Sequence, residues 1–346
     1  MRQYAILCNP GHNRVYYEAS LKLSVAEFTI AAQKFSAAQE NIRRQTIGGI
    51  EYLTFQTSEA LSPPDVKIIS DLSFAYALFE IKELNSEAVL SPMEKKREAF
   101  VDESMGAILK YAGKTNEIFT RMMVNIAFCA QSGEENLKLL DPVAGKGTTL
   151  YEGLIKGCNV YGVEIGESVV NESYHFVKKF LETARYKYAY TSMKMSGPAK
   201  SFSALRHTFE TAGTKEDFKN KRTRTIELIA GNSLYVNRYY KKNEFDMIVG
   251  DLPYGVQHGN VTREKQSSLT RNPAQLLEAC LPAWLEVLKP NGAIVLAWNS
   301  NVLPRKKMGQ LLEAQGLAVK NDGAYLQFEH RVDQSITRDI IVATKN

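Results

Sequence analysis

Two apolar runs end in motifs that bring the backbone up to a ligand, and their order along the chain restricts the fold more than anything else in it. Leu139-Leu140-Asp141-Pro142-Val143-Ala144-Gly145-Lys146-Gly147-Thr148-Thr149 reads as a strand, a glycine-bearing turn and the start of a helix. Small residues in such a turn let the backbone pass close to a ligand. Val160-Tyr161-Gly162-Val163-Glu164 follows as a strand that ends in an acid. An acid there suits a paired hydrogen bond to ribose hydroxyls, as in doubly wound nucleotide folds. Further on, Phe245-Asp246-Met247-Ile248-Val249-Gly250 runs into Asp251-Leu252-Pro253-Tyr254-Gly255. That second motif sets a carboxylate, a stiff backbone and a flat ring at one point.

The surrounding pattern agrees. Strand candidates are Leu137–Leu140, Val160–Val163, Ile226–Ile229, Met247–Val249 and Ala293–Ala297, with helices between them. Strands alternating with helices predict a parallel sheet covered on both faces. The expected class is α/β, a Rossmann-like, doubly wound, mostly parallel sheet of seven strands. Ala324–Phe328 and Asp339–Ala343 are expected to pair at its edge.

Residues 1–95 read as a small α+β unit. Tyr4–Cys8 is a strand candidate, Pro10-Gly11 a turn, Ala19–Phe35 an amphipathic helix, and Gly49–Phe55 and Phe79–Ile81 further strands. Ser62-Pro63-Pro64 breaks the chain between them. Leu84–Glu98 is charged, contains Ser91-Pro92 and reads as a linker, so the second domain is expected over 96–346. Residues 185–224 interrupt the alternation with ten Lys and Arg, and with Tyr186, Tyr188 and Tyr190 at their start. They read as a basic insertion, or as an extended helix with a loop.

The motifs together resemble class I S-adenosylmethionine (SAM) methyltransferases acting on exocyclic amines. More narrowly, they resemble the THUMP-associated RNA guanine-N2 methyltransferases. Asp141-Pro142-x-Ala144-Gly145-x-Gly147-Thr148 is similar to that family's first motif and Asp251-x-Pro253-Tyr254-Gly255 to its fourth. Gly113-Lys114-Thr115-Asn116-Glu117 resembles the segment that precedes the first strand and helps hold SAM. Arg331-Val332-Asp333-Gln334-Ser335-Ile336-Thr337-Arg338 resembles the closing hairpin. Leu23–Glu27 resembles part of the family's N-terminal domain, but a complete THUMP domain is not evident in residues 1–95.

This resemblance implies SAM as cofactor and a set of site residues. Asp141 would meet the methionine ammonium and Glu164 the ribose. Ala144, Gly145 and Gly147 would allow close approach, beside Pro142 and Thr148. Thr115 and Asn116 come from the upstream segment, and Asn232 and Ser233 follow the third strand, near the adenine. Asp251, Leu252, Pro253 and Tyr254 would do the chemistry. The amine lone pair of guanine N2 or adenine N6 is delocalised into the ring. A carboxylate at Asp251 and the carbonyl of Leu252 could accept both amine hydrogens and turn the lone pair outward. Pro253 locks its own φ, and Tyr254 would stack on a base that has left its helix. Leu252 replaces the first proline of the commoner Asp-Pro-Pro-Tyr.

Other classes fit less well. Gly145-Lys146 is followed by Gly147, and Gly113-Lys114-Thr115 has Ile108 where a phosphate loop needs its first glycine, so an ATPase is disfavoured. The turn lacks the glycine spacing of NAD-binding folds. His12, His175, His207, His258 and His330 have no metal spacing, and His258 lies just after the Asp251 turn. Cys8, Cys129, Cys158 and Cys280 form no C-x-x-C pair, which points away from zinc and towards a reducing compartment, the cytoplasm. No apolar run reaches membrane-span length. A net charge of +5 permits a polyanion partner without requiring one. The expected reaction is SAM-dependent methylation of a guanosine N2 amine in tRNA. The alternatives are rRNA guanine-N2 or nucleic-acid adenine-N6 methylation, and a catalytically silent SAM-binding RNA adaptor.

Overall fold

The computed structural model describes residues 1–9, 14–84, 87–95, 97–108, 115–133, 135–254 and 272–346. Pro10, Gly11, His12, Gly113, Lys114, Gly255 and His258 lie outside the described residues. The chain divides into two compact units. One holds Met1–Glu98 with Asn321–Arg338, and the other Ala99–Lys320 with Asp339–Asn346.

The first unit runs β1 (Arg2–Cys8), α1 (Arg14–Ala32), β2 (Gln39–Ile47), β3 (Ile50–Thr57), α2 (Pro63–Asp71), β4 (Ala75–Leu84) and β5 (Glu87–Met93). The strands form an antiparallel sheet of order β2-β3-β1-β4-β5. The βαββαβ succession with β1 between β3 and β4 is a ferredoxin-like arrangement. Tyr4, Ile6, Phe28, Leu53 and Phe55 build its core. Ser62-Pro63-Pro64 starts a helix here: Ser62 caps α2 in a reciprocal box with Asp65, and Pro63 sits in the first turn, where its missing N–H costs nothing. The segment read as a linker contains strand β5. Pro92 is tolerated in it because β5 is an edge strand with a free side. The C-terminal segment of this unit adds a short turn at Gly323–Leu326, where the sequence suggested a strand.

The second unit continues with α3 (Ser104–Ile108), α4 (Glu117–Ala130), β6 (Lys138–Asp141), α5 (Thr148–Ile155), β7 (Asn159–Glu164), α6 (Glu167–Thr183), β8 (Tyr188–Ser196), β9 (Ser203–Thr211), α7 (Lys215–Lys219), β10 (Arg224–Ala230), α8 (Val236–Tyr239), β11 (Phe245–Asp251), α9 (Pro273–Val287), β12 (Leu288–Asn299), α10 (Arg305–Glu313) and β13 (Leu317–Lys320). The short β14 (His330–Arg331) pairs with the start of the last strand, β15 (Thr337–Lys345). The sheet order is β13-β15-β12-β11-β6-β7-β10-β9-β8. β10, β7, β6, β11 and β12 are mutually parallel. β13 is the antiparallel partner of β15 at one edge, so Leu317–Lys320 takes the place expected of Ala324–Phe328. Seven strands, β13 to β10, make the doubly wound sheet. The insertion at 185–224 adds an antiparallel hairpin, β8–β9, that extends the sheet beyond β10.

Chain order reverses between β6 and β11. From β6 the chain winds outward to β7 and β10, then returns to β11 and winds the other way to β12. Neighbouring loops therefore part at the carboxyl ends of β6 and β11 and leave a crevice, which is where open α/β sheets bind ligands. The strands beneath are fully buried: Leu139, Leu140, Ile248, Val249, Ile294 and Val295 are all 0% exposed.

Candidate active site

The crevice at this switch point holds a cavity of about 410 Å³, within the ordinary range for small-molecule sites. Asp141, Val143, Ala144, Gly145, Lys146 and Thr148 line it from the β6–α5 turn. Asp251, Leu252, Pro253 and Tyr254 line it from the end of β11, and Thr115 from the segment before α4.

The turn is shaped by glycine. Gly147 caps α5 with φ +90°, a left-handed conformation that other residues resist. A Cβ on it would also press to 3.0 Å from the Tyr151 ring. Gly145, at φ +50°, lines the cavity and has open space where its Cβ would be, so a side chain there would occupy room that a ligand could use. The second strand's acid organises the same turn: Glu164 Oε2 accepts from the Gly145 amide at 3.0 Å and Oε1 from the Gly166 amide at 2.9 Å.

Asp141 is 2% exposed. Burial pushes its carboxyl up to about 7; the Thr149 hydroxyl and the Val143 amide pull down, and the charges of Asp251 and Glu164 push up further. Asp251 ends β11 with its carboxylate held by two hydroxyls. Thr115 Oγ1 donates to Oδ2, and Tyr254 Oη lies 2.7 and 2.8 Å from the two oxygens. The Leu252 amide donates to Ala297 O at 2.8 Å, and its side chain is 1% exposed, so the turn is pinned at its base.

Two acids, Asp141 and Asp251, thus line one small cavity, and a third, Glu164, stands behind its turn and does not line it. Lys146, which lines it, gives its ammonium to Glu172 at 2.5 Å. Such a lining fits a ligand with positive charge, and a zwitterionic sulfonium compound such as SAM meets that demand. Among the described residues, no group of three or more His, Cys, Asp or Glu could hold a metal ion, and no helix is long and apolar enough to cross a membrane.

The RMKL-like methyltransferase domain that defines the UPF0020 family matches residues 110–315. The chain belongs to this family. It is a SAM-dependent methyltransferase with a class I, Rossmann-like fold. No curated protein sequence matches it. Among solved structures it is similar to TrmN from Thermus thermophilus, at 12% identity over 100% of both chains with a TM-score of 0.45. It is also similar to an rRNA methylase from Streptococcus thermophilus, at 11% identity over 68% of this chain and 99% of that one, TM-score 0.35. Magnesium protoporphyrin IX methyltransferase from Synechocystis PCC 6803, with bound SAM, gives 12% identity over 66% and 79%, TM-score 0.40.

The remaining expected residues of the methyltransferase lie apart from this cavity. Asn116 Oδ1 accepts from Ile118 and Phe119 amides and caps α4. Pro142 is buried in the turn. Asn232 lines a second cavity of about 550 Å³ beside β10 and the β8–β9 turn, and its side chain caps the short helical turn at Ser233–Tyr235. Ser233 faces the core: its Oγ accepts from Trp284 Nε1 at 2.9 Å, and Trp284 is 0% exposed. Ser233→Ala should therefore leave SAM affinity unchanged and destabilise the protein by about 1–3 kcal/mol, the cost of an orphaned buried N–H. Thermal unfolding and a SAM titration on the same sample check this; a large loss of affinity would return Ser233 to the cofactor site. Thr120, Thr149 and Val169 also line the main cavity without having been expected there. Only Thr149 carried a signal, as a second hydroxyl directly after Thr148.

Proposed function

We propose that the chain methylates the exocyclic N2 amine of a guanosine in RNA, with tRNA as the substrate. The observation that carries this is the Asp251 turn: a carboxylate, a pinned backbone and an aromatic ring at the rim of the cavity. SAM, when bound, would supply an electrophilic methyl carbon on a sulfonium sulfur, with S-adenosylhomocysteine as the leaving thioether. Asp141 would hold the ammonium end of the cofactor and Glu164 the ribose, while Gly145 lets the backbone approach. Asp251 and the Leu252 carbonyl would accept the two amine hydrogens, which localises the nitrogen lone pair and aims it into the cavity. Tyr254 has its hydroxyl on Asp251 in the free protein. The amine would take over that acceptor, freeing the ring to stack on the base. Asp251 or water would carry away the proton that the methylated nitrogen loses.

The test is transfer of labelled methyl from SAM to unmodified tRNA, rRNA fragments and DNA, followed by nucleoside analysis. N2-methylguanosine in tRNA is the expected product. Label found only in N6-methyladenosine, only in rRNA or only in DNA would overturn the substrate assignment.

A further inference from the structure

Charge is distributed unevenly along this chain. Residues 185–224 carry ten of its 43 Lys and Arg but three of its 38 acids, which leaves 33 bases and 35 acids for everything else. The chain's entire positive balance thus resides in the segment that folds as the β8–β9 hairpin and α7. Some of these cations are spoken for. Arg222 pairs with Asp217 at 2.7 Å, Arg206 lies 3.3 Å from Glu227, and Arg224 donates to the Gly157 carbonyl. Lys187, Lys194, Lys200, Lys215, Lys219 and Lys221 are exposed, and among the described residues no carboxylate lies within ion-pair distance of them.

The same hairpin carries a braced aromatic surface. Tyr188 and Tyr190 on β8 share a sheet face with His207 and Phe209 on β9. The Tyr190 ring lies 5.2 Å from Tyr174 of α6 and 4.9 Å from Phe209, and its hydroxyl is 2.8 Å from His207 Nδ1. Although held on these sides, Tyr190 remains 37% exposed. A core tyrosine would be covered, and a loop tyrosine would not be braced. β8 is also the last strand of the sheet, with a free edge bearing Lys194. Unpaired cations around a fixed, open aromatic ring are what a single-stranded nucleic acid needs: the cations follow the phosphates and the ring takes a base. Four strand spacings separate β9 from β11, so this surface lies roughly 20 Å from Asp251 along the sheet, far enough to hold an RNA strand outside the reacting nucleotide.

We propose that the β8–β9 hairpin with α7 is the surface by which this methyltransferase grips single-stranded segments of its RNA. The proposal rests on the RNA reading above, but its test does not involve methyl transfer. The probe is a fluorescein-labelled, unstructured 20-nucleotide oligouridylate, and the readout is its affinity for the full chain across a series of salt concentrations. Lys187→Gln, Lys200→Gln, Lys215→Gln and Lys219→Gln together should weaken binding at least tenfold and reduce the slope of log affinity against log salt by about two to three, at roughly 0.7 for each phosphate no longer neutralised. A control of equal charge change, Lys241→Gln, Lys242→Gln, Lys306→Gln and Lys307→Gln, should leave both close to wild type; these lysines are exposed elsewhere on the same unit. Tyr190→Leu, which keeps apolar packing, should weaken binding about fivefold or more with little change in slope. SAM affinity, measured in parallel, reports that each variant is folded. If both four-lysine variants lose affinity equally, or if wild type does not bind the probe, the proposal is overturned. Dependence on the hairpin in a protein that methylates no tRNA would uphold the grip and discard the tRNA assignment.

Discussion

Asp251→Ala should lower methyl transfer by roughly 10³-fold, in line with the loss of one preorganised electrostatic group at a reacting atom, while SAM affinity changes by no more than a few-fold. The physical basis is local. Asp251 stands at the end of a fully buried strand, so its position is fixed by the sheet rather than by a loop. Its oxygens accept hydroxyl hydrogens from Thr115 and Tyr254, so the carboxylate is already held in place as an acceptor at the cavity. Alanine removes the acceptor but leaves the β6 turn, Glu164 and the cavity floor intact. Transfer is measured under saturating SAM and RNA, and SAM affinity by titration. A near-normal rate would remove Asp251 from the chemistry. A rate loss fully explained by loss of SAM would make it a cofactor ligand.

SAM binding should weaken as pH falls through about 7, and Asp141 should be the cause. Its carboxyl is raised from an ordinary value of 3.8 to about 7 by burial. Below that pH the free protein holds Asp141 protonated, whereas the form that pairs with an ammonium is the carboxylate. Binding must then expel a proton, which costs close to a factor of ten in affinity for each pH unit. Between pH 7.5 and 5.5 the loss should be roughly twentyfold. Asp141→Asn should bind SAM more weakly at pH 7.5 and show little dependence on pH. A flat profile in wild type, or the same slope in the variant, would exclude the assignment. Asp141 has an opposite effect on the unliganded fold. A carboxyl raised in the folded state favours folding while it is protonated, so its contribution to stability declines as pH rises from about 4 to about 7.

The parts of this fold visible in the sequence are those where local chemistry and burial coincide. Strands β6, β7, β10, β11 and β12 are buried on both faces, so they appear as short apolar runs, and three of them end in the acids that line or organise the site. Asp141, Glu164 and Asp251 are far apart in sequence and meet because parallel strands place their carboxyl ends on one edge. The hairpin β8–β9 was opaque because β8 is exposed along nearly its whole length, so no apolar alternation marks it as a strand; only its pairing with β9 does. Strand β5 was hidden for the same reason, with Pro92 adding a misleading break. Ala324–Phe328 has strand-like apolar content but forms a turn, because Leu317–Lys320 already occupies the edge beside β15. Ser233 looked like a cofactor residue by its place after β10. The indole of Trp284, 51 positions away, claims its hydroxyl, a tertiary contact that no local pattern encodes.

One SAM molecule should bind in the crevice bounded by Asp141, Gly145 and Asp251, which calorimetric titration of the full chain with SAM at pH 7.5 tests directly. The predicted result is one SAM per chain, displaced by S-adenosylhomocysteine, with binding abolished when Gly145→Leu fills the open space beside that glycine. Absence of binding in the wild-type protein, or undiminished binding in the folded Gly145→Leu variant, would contradict it.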